Sequence, residues 1–78
     1  MSIYNALKFV RKVDDDDQFR RMCNKGGSKV AIHEMLFEHQ MEFDEIDFNE
    51  AINIMLFKCQ TDVQADGVKQ VELWYSLL

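Results

Sequence analysis

The chain contains no proline and only three glycines, two of them adjacent at Gly26 and Gly27. A many-stranded fold needs frequent turn residues, and this sequence does not supply them. It supplies instead a 3.6-residue apolar period punctuated by capping residues. The expected fold is therefore all-α: a compact bundle of four or five short helices, forming a single domain over residues 1–78. A chain of this length buries only about 60% of its unfolded surface, so a large cleft with layered catalytic machinery is not expected. Hydrophobic residues make up 47% and charged residues 29%, the balance of a folded globule rather than a disordered chain.

The helical period is clearest at the start. At 100° per residue, Ile3, Ala6, Leu7, Phe9, Val10 and Val13 occupy an arc of about 160°, opposite Tyr4, Asn5, Lys8, Arg11 and Lys12. Ser2 is placed to cap this first helix. Four aspartates follow, Asp14 to Asp17. As a calcium loop the run fails: counted from Asp14, position six is Phe19 instead of glycine and position twelve is Lys25 instead of glutamate. As a cap it works, with Asp16 accepting backbone N–H groups of a second helix that turns Phe19, Met22 and Cys23 inward and Arg20 and Arg21 outward.

Lys25-Gly26-Gly27 ends that helix, and Ser28 caps a third, roughly residues 29–39. This one is apolar on two sides: Ala31, Ile32, Met35 and Leu36 form one stripe, Val30 and Phe37 another. A short helix of that kind is expected at the centre of its bundle. After a link at residues 40–43, Asp44 and Asp47 form a capping-box pattern for a fourth helix with the stripe Phe48, Ala51, Ile52, Met55, Leu56 and Cys59. Val10, Met35, Ile52 and Leu56 are expected in the core. Ile46, Ile54 and Phe57 project away from the fourth helix's stripe. Asp66-Gly67 reads as a turn, followed by a fifth helix or, less in keeping with the pattern, a hairpin. Residues 61–78 are expected to dock over Ile54 and Phe57.

No chemistry-bearing motif stands out. Gly26-Gly27 lacks the strand and Gly-Lys-Ser/Thr pattern of a phosphate loop. His33 and His39 are six residues apart, about 240° around a helix, and cannot share a metal. His39 falls within the apolar stripe and reads as half-buried, His33 as surface. Cys23 and Cys59 sit at apolar positions without a close Cys-x-x-Cys pair. No catalytic, cofactor or metal-binding residue is expected.

The formal net charge of −5 is unevenly distributed: residues 1–29 carry +3 and residues 30–78 carry −8. The bland explanation is attraction between the halves within one bundle. The functional one is a bipolar surface that orients a partner. The aromatics do not interleave with the bases, so direct nucleic-acid binding is disfavoured, although Lys8, Arg11, Lys12, Arg20 and Arg21 form a basic group. No apolar run approaches the roughly 20 residues of a membrane helix, and the first residues lack the order of a signal peptide. Two cysteines are too few for a disulfide scaffold, which points to the cytoplasm.

The run ALKFVRKVDDDDQFRRM resembles the opening of a family of small helical proteins associated with nitrogen-fixation gene clusters. The same domain serves as the leader of some lanthipeptide and nitrile-hydratase-like peptide precursors. That opening is an "F-x-x-K-V" helix, an acidic turn and a second helix starting Asp-Pro-x-Leu. Phe9, Lys12, Val13, Asp16 and Phe19 match it, with Asp17 in place of the proline. MEFDEIDFNEAI resembles the family's "Gly-Phe-x-Phe-Thr-x-x-Glu-Leu" segment through Met41, Phe43, Asp44, Asp47 and Phe48, with Gln40 where the family has glycine. The similarity covers about residues 3–52, and the family-like part of the domain extends to about residue 60. Leader members end in a double glycine followed by a Ser-, Thr- or Cys-rich core, a pattern not seen after Cys59. The resemblance therefore implies a stand-alone helical member.

Two functions follow as expectations. The first is a non-catalytic interaction or regulatory module with a protein partner, or a second copy as a homodimer. Its candidate contacts are Ile46, Ile54, Phe57 and Trp74, together with the basic group. The second is a small acidic inhibitor that mimics nucleic acid, which requires Glu34, Glu38, Glu42, Glu45 and Glu50 to gather on one side. An enzyme acting through His39 and nearby carboxylates is the weakest alternative.

Overall fold

Each helix begins where a side chain satisfies its free backbone donors. In the computed structural model, which describes residues 2–78, Ser2, Asp16, Ser28, Asp44 and Thr61 each accept a hydrogen bond from the backbone N–H three residues on. Such caps contribute about 1 kcal/mol apiece. At Asp44 the box is reciprocal, because Asp47 returns a carboxylate to the Asp44 N–H at 3.2 Å. The elements are α1 (Ile3–Asp15), α2 (Asp17–Gly26), α3 (Lys29–Glu38), α4 (Glu45–Lys58) and α5 (Asp62–Ser76), with no strand among the described residues. The fold is all-α.

The centre belongs to α1, which packs against α2, α4 and α5. Ala6, Phe9, Val10 and Val13 are fully buried along it. They meet Phe19 and Cys23 of α2, Ile32 and Leu36 of α3, Phe43 of the link, Phe48, Ala51 and Ile52 of α4, and Val68, Val71 and Tyr75 of α5 in one core. The expectation that α3 is central is overturned. The main helix partner of α3 is α2, and it does not pack extensively on α1. The central place needs a wide apolar arc, and α1 has one, whereas α3 buries only Ile32 and Leu36. Val10 and Ile52 are core as expected; Met35 and Leu56 are partly buried against it. Met22, expected inward, is exposed.

A second correction concerns Asp66-Gly67. No turn forms there, and α5 runs through both residues from its Thr61 cap. A mid-helix glycine costs about 1 kcal/mol relative to alanine, less than the burial of Val68, Val71 and Tyr75 returns. The position faces the exposed Asp14 side chain of α1. A Cβ at position 67 would stand 3.0 Å from Asp14 Oδ1.

The exit from α3 is a Schellman turn. The Gln40 N–H donates to the Phe37 carbonyl and the Met41 N–H to the Leu36 carbonyl, at 3.1 and 2.8 Å. Gln40 has φ +58°. It stands where the resembled family has glycine, and takes the left-handed conformation that glycine adopts without strain. That conformation costs a residue with a Cβ roughly 1–2 kcal/mol, only partly offset by the greater unfolded freedom of glycine, about 0.5–1 kcal/mol. Gln40→Gly is therefore expected to stabilise the domain by about 0.5–1 kcal/mol. A urea midpoint that fell in this variant would contradict the assignment.

Candidate functional site

Where α3 turns its second face outward it leaves apolar surface in water. Val30 and Phe37, seven residues and about two turns apart on one line of the helix, are 68% and 66% exposed. With Lys29, His33, Glu34, Glu38 and Glu42 they line a shallow groove of about 650 Å³. On the helical wheel Glu34 and Glu38 flank the Val30–Phe37 line on one side, His33 and Lys29 on the other. Glu42 joins from the link after the Schellman turn.

The electrostatics of this groove are one-sided. Lys29 is its only base, and it is held away: Nζ lies 3.6 Å from Glu45 Oε1 and 5.0 Å above the Tyr75 ring. That is the one ion pair among the described residues. It links the basic and acidic parts of the chain, but as an exposed pair it contributes at most about 1 kcal/mol. Glu34 and Glu38 have no cationic partner there. They lie one turn apart on the same face, and Glu38 is the last residue of a helix with no base in its last turn. Each of those two arrangements is unfavourable by a few tenths of a kcal/mol, about 0.3–0.5.

His33 forms the inner wall. Its Nε2 is 2.6 Å from the Tyr75 hydroxyl, tying α3 to α5, and its ring meets Phe43 edge-on with centroids 5.2 Å apart. Burial lowers the His33 pKa from its ordinary value, with Glu45 opposing and Lys29 assisting. Burial, helped by Glu45, pushes the Tyr75 phenol up to about 12. At neutral pH the phenol therefore keeps its proton, and the contact joins two uncharged groups, with the imidazole tautomer setting which of them donates. The lowered His33 value makes the fold prefer the uncharged ring. Its contribution to stability is complete above the unfolded value of about 6.5 and is lost as pH falls toward the lowered folded value. Wild-type stability is expected to fall more steeply than that of His33→Gln between about pH 6.5 and 5; parallel urea-denaturation profiles would contradict this.

The two histidines have exchanged the expected roles. His39 is exposed rather than half-buried, because α3 ends at Glu38 and the chain reverses before the wheel position carries it inward. Among the described residues no carboxylate hydrogen-bonds to either ring, and no group of three or more His, Cys, Asp or Glu residues is placed to hold a metal. Cys23 and Cys59 are free thiols. Burial raises the Cys23 pKa to about 11, which leaves it protonated and unreactive at neutral pH.

The other candidate contacts separate into two kinds. Trp74 is a packing residue: its Nε1 donates to Asn24 Oδ1 at 2.7 Å and its ring stacks on Phe9, which docks α5 on α2 and α1. Ile54 is half-buried. Ile46 and Phe57 are 70% and 91% exposed, so α5 does not cover Phe57 as expected. The α5 residues Val68, Val71 and Tyr75 enter the same core as Ala51 and Ile52, with the Tyr75 ring stacked on Phe48 at 4.1 Å. Eleven residues separate Ile46 from Phe57, about 16 Å along α4. The exposed Glu50 and Asn53 fall on the face between them, so the two do not form one patch.

Of the basic group, Lys8, Arg11 and Lys12 line a common hollow with Asp15, Asp16 and Met41; Arg20 and Arg21 do not line it. Lys8 lies over the Tyr4 ring and Lys12 over Phe19. Arg20, expected to face outward, is only partly exposed, and its Nε is buried without a hydrogen-bond partner. Of the five glutamates, Glu34, Glu38 and Glu42 meet at the α3 groove, Glu45 pairs with Lys29, and Glu50 stands about 140° around α4 from Glu45. Val30 and Phe37, the second stripe of a helix expected at the centre, are exposed instead. The signal that marks them is the pair of glutamates sharing their arc. No described helix is long and apolar enough to cross a membrane. No family model, curated protein or solved structure matches this chain.

Proposed function

We propose that this chain is a non-catalytic protein-interaction module that docks a segment of another protein on the outer face of α3. The observation that carries it is the exposure of Val30 and Phe37 side by side at a groove, in a domain with enough apolar residues to fill its core without them. Exposed apolar side chains grouped this way mark interaction surfaces more often than single ones do. The free thiols Cys23 and Cys59 support a reducing, cytoplasmic setting. Membership of the nitrogen-fixation-associated helical family is part of the proposal and rests on the residues matched between Phe9 and Phe48.

Photo-crosslinking tests it. With benzoylphenylalanine at position 30, one discrete protein adduct is expected in the cells that make this chain, and none with the probe at Asn53 on the exposed face of α4. The absence of a discrete adduct from both position 30 and position 37 would end the reading. The acidic-inhibitor alternative draws on the meeting of Glu34, Glu38 and Glu42. It requires the adduct to be a nucleic-acid-binding protein that short duplex DNA displaces.

A further inference from the structure

The groove has an apolar line, an acidic flank and no available base, which together describe its occupant. We infer that it takes a basic amphipathic helix of a different protein, apolar side chains on the Val30–Phe37 line and lysines or arginines along Glu34, Glu38 and Glu42. The inference rests on the interaction-module reading and adds the chemistry of the partner.

Three observations point the same way. The α3 face is linear, with Val30, His33, Glu34, Phe37 and Glu38 at the i, i+3, i+4, i+7, i+8 spacing along which helices pack. The carboxylates of Glu34 and Glu38 face water without a cationic partner among the described residues, while Lys29 is engaged by Glu45 and Tyr75. The last turn of α3 holds no basic residue to offset the negative end of its dipole. A cation on the partner would satisfy the like-charge pair and the helix end at once. A second copy fits less well, because the chain's own basic residues Lys8, Arg11 and Lys12 share their hollow with Asp15 and Asp16.

The test uses the whole chain and a synthetic amphipathic Leu/Lys helix of about 14 residues, long enough to hold helical structure when docked. Its controls are a Leu/Glu counterpart and a scrambled Leu/Lys peptide. Amide NMR shifts are expected at Val30, Glu34, Phe37 and Glu38, with binding that weakens as salt is added. Phe37→Ser, and separately the pair Glu34→Gln and Glu38→Gln, are expected to weaken it about tenfold or more, an effect a single lost anchor readily gives. Phe57→Ser, an exposed aromatic on another face, is expected to leave it unchanged. All these positions are exposed, so thermal midpoints should stay near wild type.

Equal binding of the Leu/Glu or scrambled peptide would overturn the inference. So would an effect of Phe57→Ser equal to that of Phe37→Ser, or a homodimer in sedimentation that Phe37→Ser dissociates. If the Leu/Lys peptide fails while the position-30 crosslink still captures one protein, the partner's chemistry is wrong and the module reading stands. If the crosslink fails at both positions 30 and 37, that reading falls with it.

Discussion

Phe9→Ala is expected to leave the domain largely unfolded at 25 °C. The Phe9 ring is fully buried in α1. Its centroid lies within 5.2–6.4 Å of the rings of Phe19, Phe43, Phe48, Trp74 and Tyr75, which come from α2, the link, α4 and α5. Truncating a buried phenylalanine costs about 3–5 kcal/mol, through lost transfer energy and the cavity left behind. A domain under about 80 residues has only about 3–5 kcal/mol of net stability from its core. The two figures are equal within their spread, so little folded protein should remain. Far-UV circular dichroism and urea denaturation would show it, and Phe9→Leu, which keeps most of the volume, should retain a cooperative transition. A loss below about 1 kcal/mol in Phe9→Ala would mean that the five rings close over the gap.

The second large effect is expected at Ile52. It is fully buried on α4, between Phe48 and the partly buried Met55 and Leu56 on the stripe that faces α1 and α5. Ile52→Ala should cost about 2–5 kcal/mol, and Ile52→Val about 0.5–1.5 kcal/mol because only one methylene is lost. The valine variant keeps the test measurable if the alanine variant does not fold. Both should lower the urea midpoint without changing the slope, since the surface exposed on unfolding is nearly the same. A slope that fell instead would point to a loosened native state. Neither substitution touches the α3 groove, so a crosslink at position 30 should survive in Ile52→Val.

The helices and their starts were legible in the sequence because their causes are local. Four of the five caps, at Ser2, Asp16, Ser28 and Asp44, follow from side chains that reach only three residues. The apolar arc of α1 is equally local, and it was read correctly down to Ala6 and Val13. The errors fall where a distant contact outweighs a local preference. Gly67 looks like a turn residue, but burial of Val68, Val71 and Tyr75 keeps it inside a helix. His39 sits at an inward wheel position, but the Schellman turn removes it before the wheel applies. Trp74 has the composition of a contact residue, but Asn24, fifty residues away in sequence, claims its indole N–H.

The groove was legible only in part for the same reason. The sequence shows that Val30 and Phe37 form a second apolar stripe on α3, and that Glu34 and Glu38 share its arc. It does not show whether another helix covers that stripe. Coverage is a competition for one central site, decided by how wide each helix's apolar arc is and how its loops allow it to approach. Only the assembled bundle compares them. By itself, the sequence determined an all-α chain of capped short helices, because hydrogen bonds at helix ends and 3.6-residue periodicity act within a few residues. The tertiary structure decided that α1 takes the centre, that α3 is left at the edge, and that the unbalanced negative charge gathers beside exposed Val30 and Phe37. Those outcomes depend on packing between residues far apart in the chain, where burial of the wider arc on α1 wins.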